Sequence, residues 1–105
     1  MIRAATIAIA LIYGQANAQD LDSMMRANEL ATVIGSEAYC GLTLDSAGIE
    51  AWIKANVAPN DLSFASTLQT MTMGQEFQQQ EMSASAKIAH CAAVRQTAGA
   101  MGLIE

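Results

Sequence analysis

LDSAGIEAWIKANV, residues 44–57, carries the start signal, the apolar stripe and the stop signal of one amphipathic helix. Asp45 stands at the N-cap, where a side-chain oxygen takes up an otherwise unpaired helix amide. Leu44 and Ile49 flank it at the spacing of a hydrophobic staple. Ile49, Trp52, Ile53 and Val57 fall on one helical face. Asn56 and then Pro59, whose ring disfavours helical geometry at Ala58, end the segment. Trp52, the only tryptophan, is expected on the buried face as a core anchor, with contact to an apolar ligand or partner as its alternative use.

Helical signals continue in both directions. Upstream, Asp20 or Asp22 caps a first helix running to about Cys40, with Leu21, Met24 and Met25 leading into a stripe of Leu30, Val33, Ile34 and Ala38. Gly41 follows as the residue suited to a left-handed C-terminal cap. Downstream, Asn60 or Asp61 caps a third helix with Phe64, Leu68 and Met71 on one face. A second stripe, Phe77, Glu81, Ala84, Ile88, Cys91 and Ala98, is angularly offset from the first. The offset predicts either two helices or one broken between Gly74 and Ser83, with Ser83 or Ser85 capping the last. Gln78 to Gln80 are expected on a solvated face. β-branched residues are scattered and no Asn-Gly or Asp-Gly hairpin turn occurs. The fold class is therefore all-α, a small bundle of three to four helices.

Residues 1–18 read as a cleaved secretory leader. Arg3 supplies the basic start, Ala4 to Tyr13 the apolar stretch, and Ala16-Asn17-Ala18 a small-x-small site with cleavage between Ala18 and Gln19. The apolar run is about half of the ~20 residues a spanning helix needs, so no membrane span is expected in the mature chain. Residues 19–105 then form a single exported domain, with the Gram-negative periplasm the favoured compartment and the extracellular space the alternative. In an oxidising compartment the two cysteines, Cys40 and Cys91, are expected to pair. Closing a loop of roughly fifty residues is worth about 4 kcal/mol, a large share of the stability of so small a domain.

The chain holds ten acidic residues against five basic ones, for a net charge of −5. Arg3 belongs to the leader, and Arg26, Lys54, Lys87 and Arg95 are scattered singly. Phosphate backbones and anionic membrane surfaces are met by clustered cations, so neither nucleic acid nor a lipid surface is the expected partner.

His90, the only histidine, precedes Cys91. Neighbouring helical residues diverge by about 100°, and a disulfide-bonded cysteine offers no thiolate, so the pair is read as a staple beside an ordinary surface histidine. Met71 and Met73 with His90 are the candidate soft-metal ligands, because thioethers and imidazole suit copper. The two methionines converge only if the helix unwinds at Gly74; otherwise they pack as flexible core filler. Zinc and calcium lack ligands at workable spacing, and Asp20 and Asp22 are read as helix-capping acids. Glu76 and Glu81 diverge on a helix, and no nucleophile-elbow glycine pattern frames a serine. No catalytic residue and no cofactor are therefore assigned.

Tyr39-Cys40-Gly41-Leu42, the Trp52 helix and the late His90-Cys91 together resemble a group of small exported helical proteins of α-proteobacteria. In that group a Cys-Gly closes the first mature helix and a second cysteine lies near the C terminus; the resemblance implies fold and compartment, not activity. In size, helicity and the spacing of its cysteines, the chain is also similar to acid-stress periplasmic chaperones. Those differ around their cysteines, so the likeness implies a mode of action and no site residue. Protonating ten acids would make the chain cationic and weaken caps that rely on ionised Asp. The expected function is a non-catalytic periplasmic binding, accessory or stress factor whose partner is a protein or a small apolar ligand. The alternative is a copper-binding protein using Met71, Met73 and His90.

Overall fold

The computed structural model describes residues 21–104, all of whose regular structure is helical. The leader, its cleavage site at Ala18 and Gln19, and Asp20 lie outside the described residues. Helix α1 covers 21–34; after a turn at Gly35-Ser36, α2 spans Glu37–Cys40, α3 Ser46–Asn56, α4 Phe64–Gln79 and α5 Ala84–Ala100. The expected all-α bundle and its Cys40–Cys91 disulfide are both present, with the cysteine Cα atoms 5.4 Å apart.

The core forms around α1. Ala27, Leu30 and Val33 meet Trp52 of α3, Phe64 of α4, Val94 and Ala98 of α5, and Leu103 beyond it. Trp52 is thus buried in the core cluster, in the place expected of a core anchor. Ile49, Ile53 and Val57 pack against the same cluster, as the stripe of 44–57 requires. Asp45 occupies the N-cap of α3, although its side chain makes no capping bond there. Its backbone amide donates instead to the Leu103 carbonyl at 2.8 Å, which ties the chain's end to the start of α3.

The first helix is not continuous to Cys40. The Ser36 amide shifts to an i−3 bond with the Val33 carbonyl at 3.1 Å, and the helix restarts as α2. At this point α1 crosses α4 closely: a Cβ on Gly35 would lie 2.9 Å from Gln75 Cβ and 3.0 Å from the Thr72 carbonyl. Gly41 then ends α2 with φ 66°, its amide donating to the Ala38 carbonyl and that of Leu42 to Glu37. This is the paired closing pattern that a left-handed glycine permits. Gly102 repeats it after α5 with φ 77°, and so turns the fully buried Leu103 into the core.

Beyond Leu62, the chain forms two helices separated at 80–83, with α4 running unbroken through Gly74. Ser83 caps α5, its hydroxyl accepting from the Ala86 amide at 3.2 Å. The second apolar stripe needs correction. Cys91 and Ala98 are buried, but Val94 lies between them on the inward face, while Phe77 and Ile88 are 69% and 73% exposed. Alanines dominate α5, so its apolar residues leave the inward angle ambiguous until packing selects it.

Candidate functional site

Two features stand out where α1, α4 and α5 meet: a buried polar cluster and an open groove beside it. The cluster is centred on Ser36, which the kink at Gly35 turns inward and which is fully buried. Its hydroxyl donates to the Thr32 carbonyl at 2.7 Å, and Gln79 Nε2 donates to Ser36 Oγ at 2.9 Å. His90 Nε2 lies 3.0 Å from the same oxygen. With the single hydroxyl proton directed to Thr32, Ser36 Oγ accepts from both nitrogens, which places a proton on His90 Nε2.

His90 is accordingly a half-buried member of a polar network, not an ordinary surface histidine. Gln79 likewise departs from the solvated face expected of Gln78 to Gln80: it is fully buried, and its Oε1 has no hydrogen-bond partner among the described residues. The reason is periodic. Thr72, Gln75 and Gln79 continue the face of α4 that begins with Leu68, and the crossing at Gly35 turns that face onto α1.

A serine within hydrogen-bond distance of a histidine invites comparison with a nucleophile and its base. Here the hydroxyl proton points to a backbone carbonyl, the serine is sealed from solvent, and His90 acts as donor to it. The geometry is that of a structural cluster. Cys91 is committed to the disulfide and supplies no thiol.

Met71 and Met73 are not brought together. Helix α4 stays intact across them, so they project about 200° apart. Met71 packs against the core, while Met73 is 62% exposed. No group of three or more His, Cys, Asp or Glu positioned for a metal occurs among the described residues.

The groove, about 530 Å³, runs between α2 and α5. The disulfide lies along it with Ile88 and Ala92; Tyr39, Lys87 and Arg95 add polar groups. Lys87 Nζ sits 4.5 Å from the centre of the Tyr39 ring, and that ring meets His90 edge-on at 6.4 Å. Arg95 Nη2 donates to the Cys40 carbonyl at 3.0 Å, at the negative end of α2. The groove and the buried cluster thus share His90's neighbours.

A second cleft, about 560 Å³, lies between residues 22–26 of α1 and the α3–α4 connection. Its polar groups mostly satisfy one another. Asp61 accepts from the hydroxyls of Ser23 and Ser63. The Ser23 hydroxyl first, then that of Ser63, and finally the amides of Ser63 and Phe64 hold its carboxyl below the ordinary value. The N-cap of α4 is Ser63, not the expected Asn60 or Asp61; Asp61 instead joins the start of α4 to α1 at Ser23.

No family model, no curated protein and no solved structure matches this chain.

Proposed function

We propose that this chain is an exported helical binding protein of the periplasm, which holds a protein partner against its α4–α5 surface and performs no chemistry on it. The observation that carries this reading is the exposure of large apolar side chains on an otherwise well-anchored domain. Met73 and Phe77, one turn apart on α4, and Ile88 on α5 are all more than half exposed, whereas the same helices fix Phe64, Val94 and Ala98 in the core. Large apolar side chains left exposed on a small domain are what a protein-binding face offers. The disulfide supports the assignment to an oxidising compartment, since structural disulfides persist there. It also holds the presenting helix in place while a partner is bound.

The test is aggregation of an unfolded client. Carbonic anhydrase diluted from guanidinium is followed by light scattering at neutral and acidic pH, with and without the oxidised protein. Dose-dependent suppression of scattering is expected. Scattering unchanged at every ratio and pH would overturn the reading.

A further inference from the structure

The chain's cations divide into two kinds. Arg26 lies 3.9 Å from Asp22 and 3.6 Å from Glu29, and Lys54 lies 3.2 Å from Glu50, so each is matched by acids of its own helix. Among the described residues, Lys87 and Arg95 have no carboxylate partner, and both line the groove between α2 and α5. In a protein with twice as many acids as bases, the two unmatched cations thus share one concave surface.

We propose that this groove docks an acidic segment of a partner polypeptide, in which two carboxylates flank apolar side chains. The inference rests on the reading of the protein as a binder of proteins and specifies the chemistry of the partner. Three observations set that chemistry.

Lys87 and Arg95 are eight residues apart on α5, about 12 Å along its axis, too far for one carboxylate to meet both. Ile88, the disulfide and Ala92 occupy the interval, and Ile88 is 73% exposed, so the middle of the site is apolar. An extended segment rises about 3.3 Å per residue, and two acids separated by three residues therefore span about 13 Å, which matches the cations.

The cations are also held in advance. Lys87 rests over Tyr39, and Arg95 is fixed by one bond to the Cys40 carbonyl while its other donors remain for a carboxylate. Less side-chain freedom is lost on binding as a result. The surrounding excess of acids disfavours an extended polyanion and restricts the groove to a short acidic segment.

The probes are the peptide Ac-Glu-Leu-Ile-Leu-Glu-amide, its Gln-for-Glu counterpart and dodecanoate, each titrated into the isotope-labelled, oxidised full chain and followed by amide NMR. The acidic peptide is expected to shift the amides of Gly41, Ile88, Ala92 and Arg95. Its affinity should fall about tenfold for Lys87→Gln, which removes one charge pair, and further for the Gln peptide, which removes both, and at about 1 M salt. Because Lys87 is exposed, that variant is expected to keep the wild-type spectrum elsewhere. Equal binding of the two peptides, shifts confined to other surfaces, or no shifts at millimolar peptide would overturn the proposal. Groove binding by dodecanoate without the peptide would also overturn it, in favour of a lipid-like anion. Client holding that survives in Lys87→Gln, with no peptide binding by wild type, would overturn the groove assignment alone. Absence of client holding with the peptide shifts intact would overturn the holding function and leave the groove's chemistry standing.

Discussion

Breaking the disulfide by Cys40→Ala with Cys91→Ala tests how far the fold relies on its staple. The bridge closes a loop of 51 residues, joining the end of α2 to the middle of α5. The chain-entropy relation for a loop of this length gives about 14 cal/mol/K, or about 4 kcal/mol at 25 °C. Both cysteines are buried, so losing their sulfurs adds a packing cost of about 1 kcal/mol. A domain of this size has about 4–13 kcal/mol of stability, so a loss of about 5 kcal/mol removes from about two fifths of it to all of it. With a urea slope of about 1 kcal/mol per molar, its midpoint should fall by about 4–5 M. Equilibrium urea denaturation by circular dichroism, wild type against variant, reads the difference directly. The other links of α2 to α5, Arg95 to the Cys40 carbonyl and Lys87 over the Tyr39 ring, are too weak to compensate. A loss of less than about 1 kcal/mol would refute the reasoning, because it would mean that the unfolded chain gains almost no freedom when the loop is opened.

Gln79→Met removes a fully buried carbonyl oxygen that has no partner among the described residues, while Ser36 Oγ keeps His90 and Thr32. Relief of that unpaired oxygen is opposed by loss of the Nε2 bond to Ser36 Oγ, so stability in urea should stay within about 1 kcal/mol of wild type; a loss of more than about 2 kcal/mol would show that the buried amide is a net stabilising member of the cluster. Gly48→Ala would place a Cβ 2.3 Å from the Gly102 carbonyl oxygen, a backbone atom. About 3 kcal/mol of destabilisation is expected, with faster hydrogen exchange at the Asp45 amide as the tail is displaced; an unchanged midpoint would contradict that packing. Asp61 titrates below its ordinary value of 3.8 in the folded protein. Its contribution is therefore fully present above about pH 5 and lost as pH falls through the folded value, below about pH 4. The protection factor of the Phe64 amide, taken relative to its intrinsic exchange rate at each pH, should fall in that window in wild type. In Asp61→Asn that protection should already be low at neutral pH, and matching pH profiles would sink the assignment.

The parts of this fold legible in the sequence are those set by neighbours in the chain. In 44–57 the stripe and the stop lie within one segment, and the structure places α3 there with Trp52 inward. Ser83 was readable as a cap because its bond reaches only to Ala86. The two cysteines allowed one intramolecular pairing, and it forms.

What escaped the reading depends on distant partners. The apolar stripe of the first helix continues past Gly35, and only the approach of Thr72 and Gln75 from α4 reveals why the helix turns there. Ser36 and Gln79 are polar residues on inward faces whose burial each makes tolerable for the other. Extending the Leu68 and Met71 stripe by two more turns, through Gln75, points to Gln79, against its composition. His90 appeared isolated because Ser36 is 54 residues away. In the candidate site, Lys87 and Arg95 looked like scattered charges, and the groove becomes visible only when the disulfide lays α2 alongside α5.

The central claim is that apolar side chains left outside the core are the surface by which the protein holds a partner. Its most direct test is client light scattering with wild type and with Phe77→Ser combined with Ile88→Ser. Both side chains are largely exposed, so the variant should keep the wild-type urea midpoint within about 0.5 kcal/mol of stability. The account predicts that it loses most of its suppression of client aggregation. Full suppression by a variant of unchanged stability would contradict the claim.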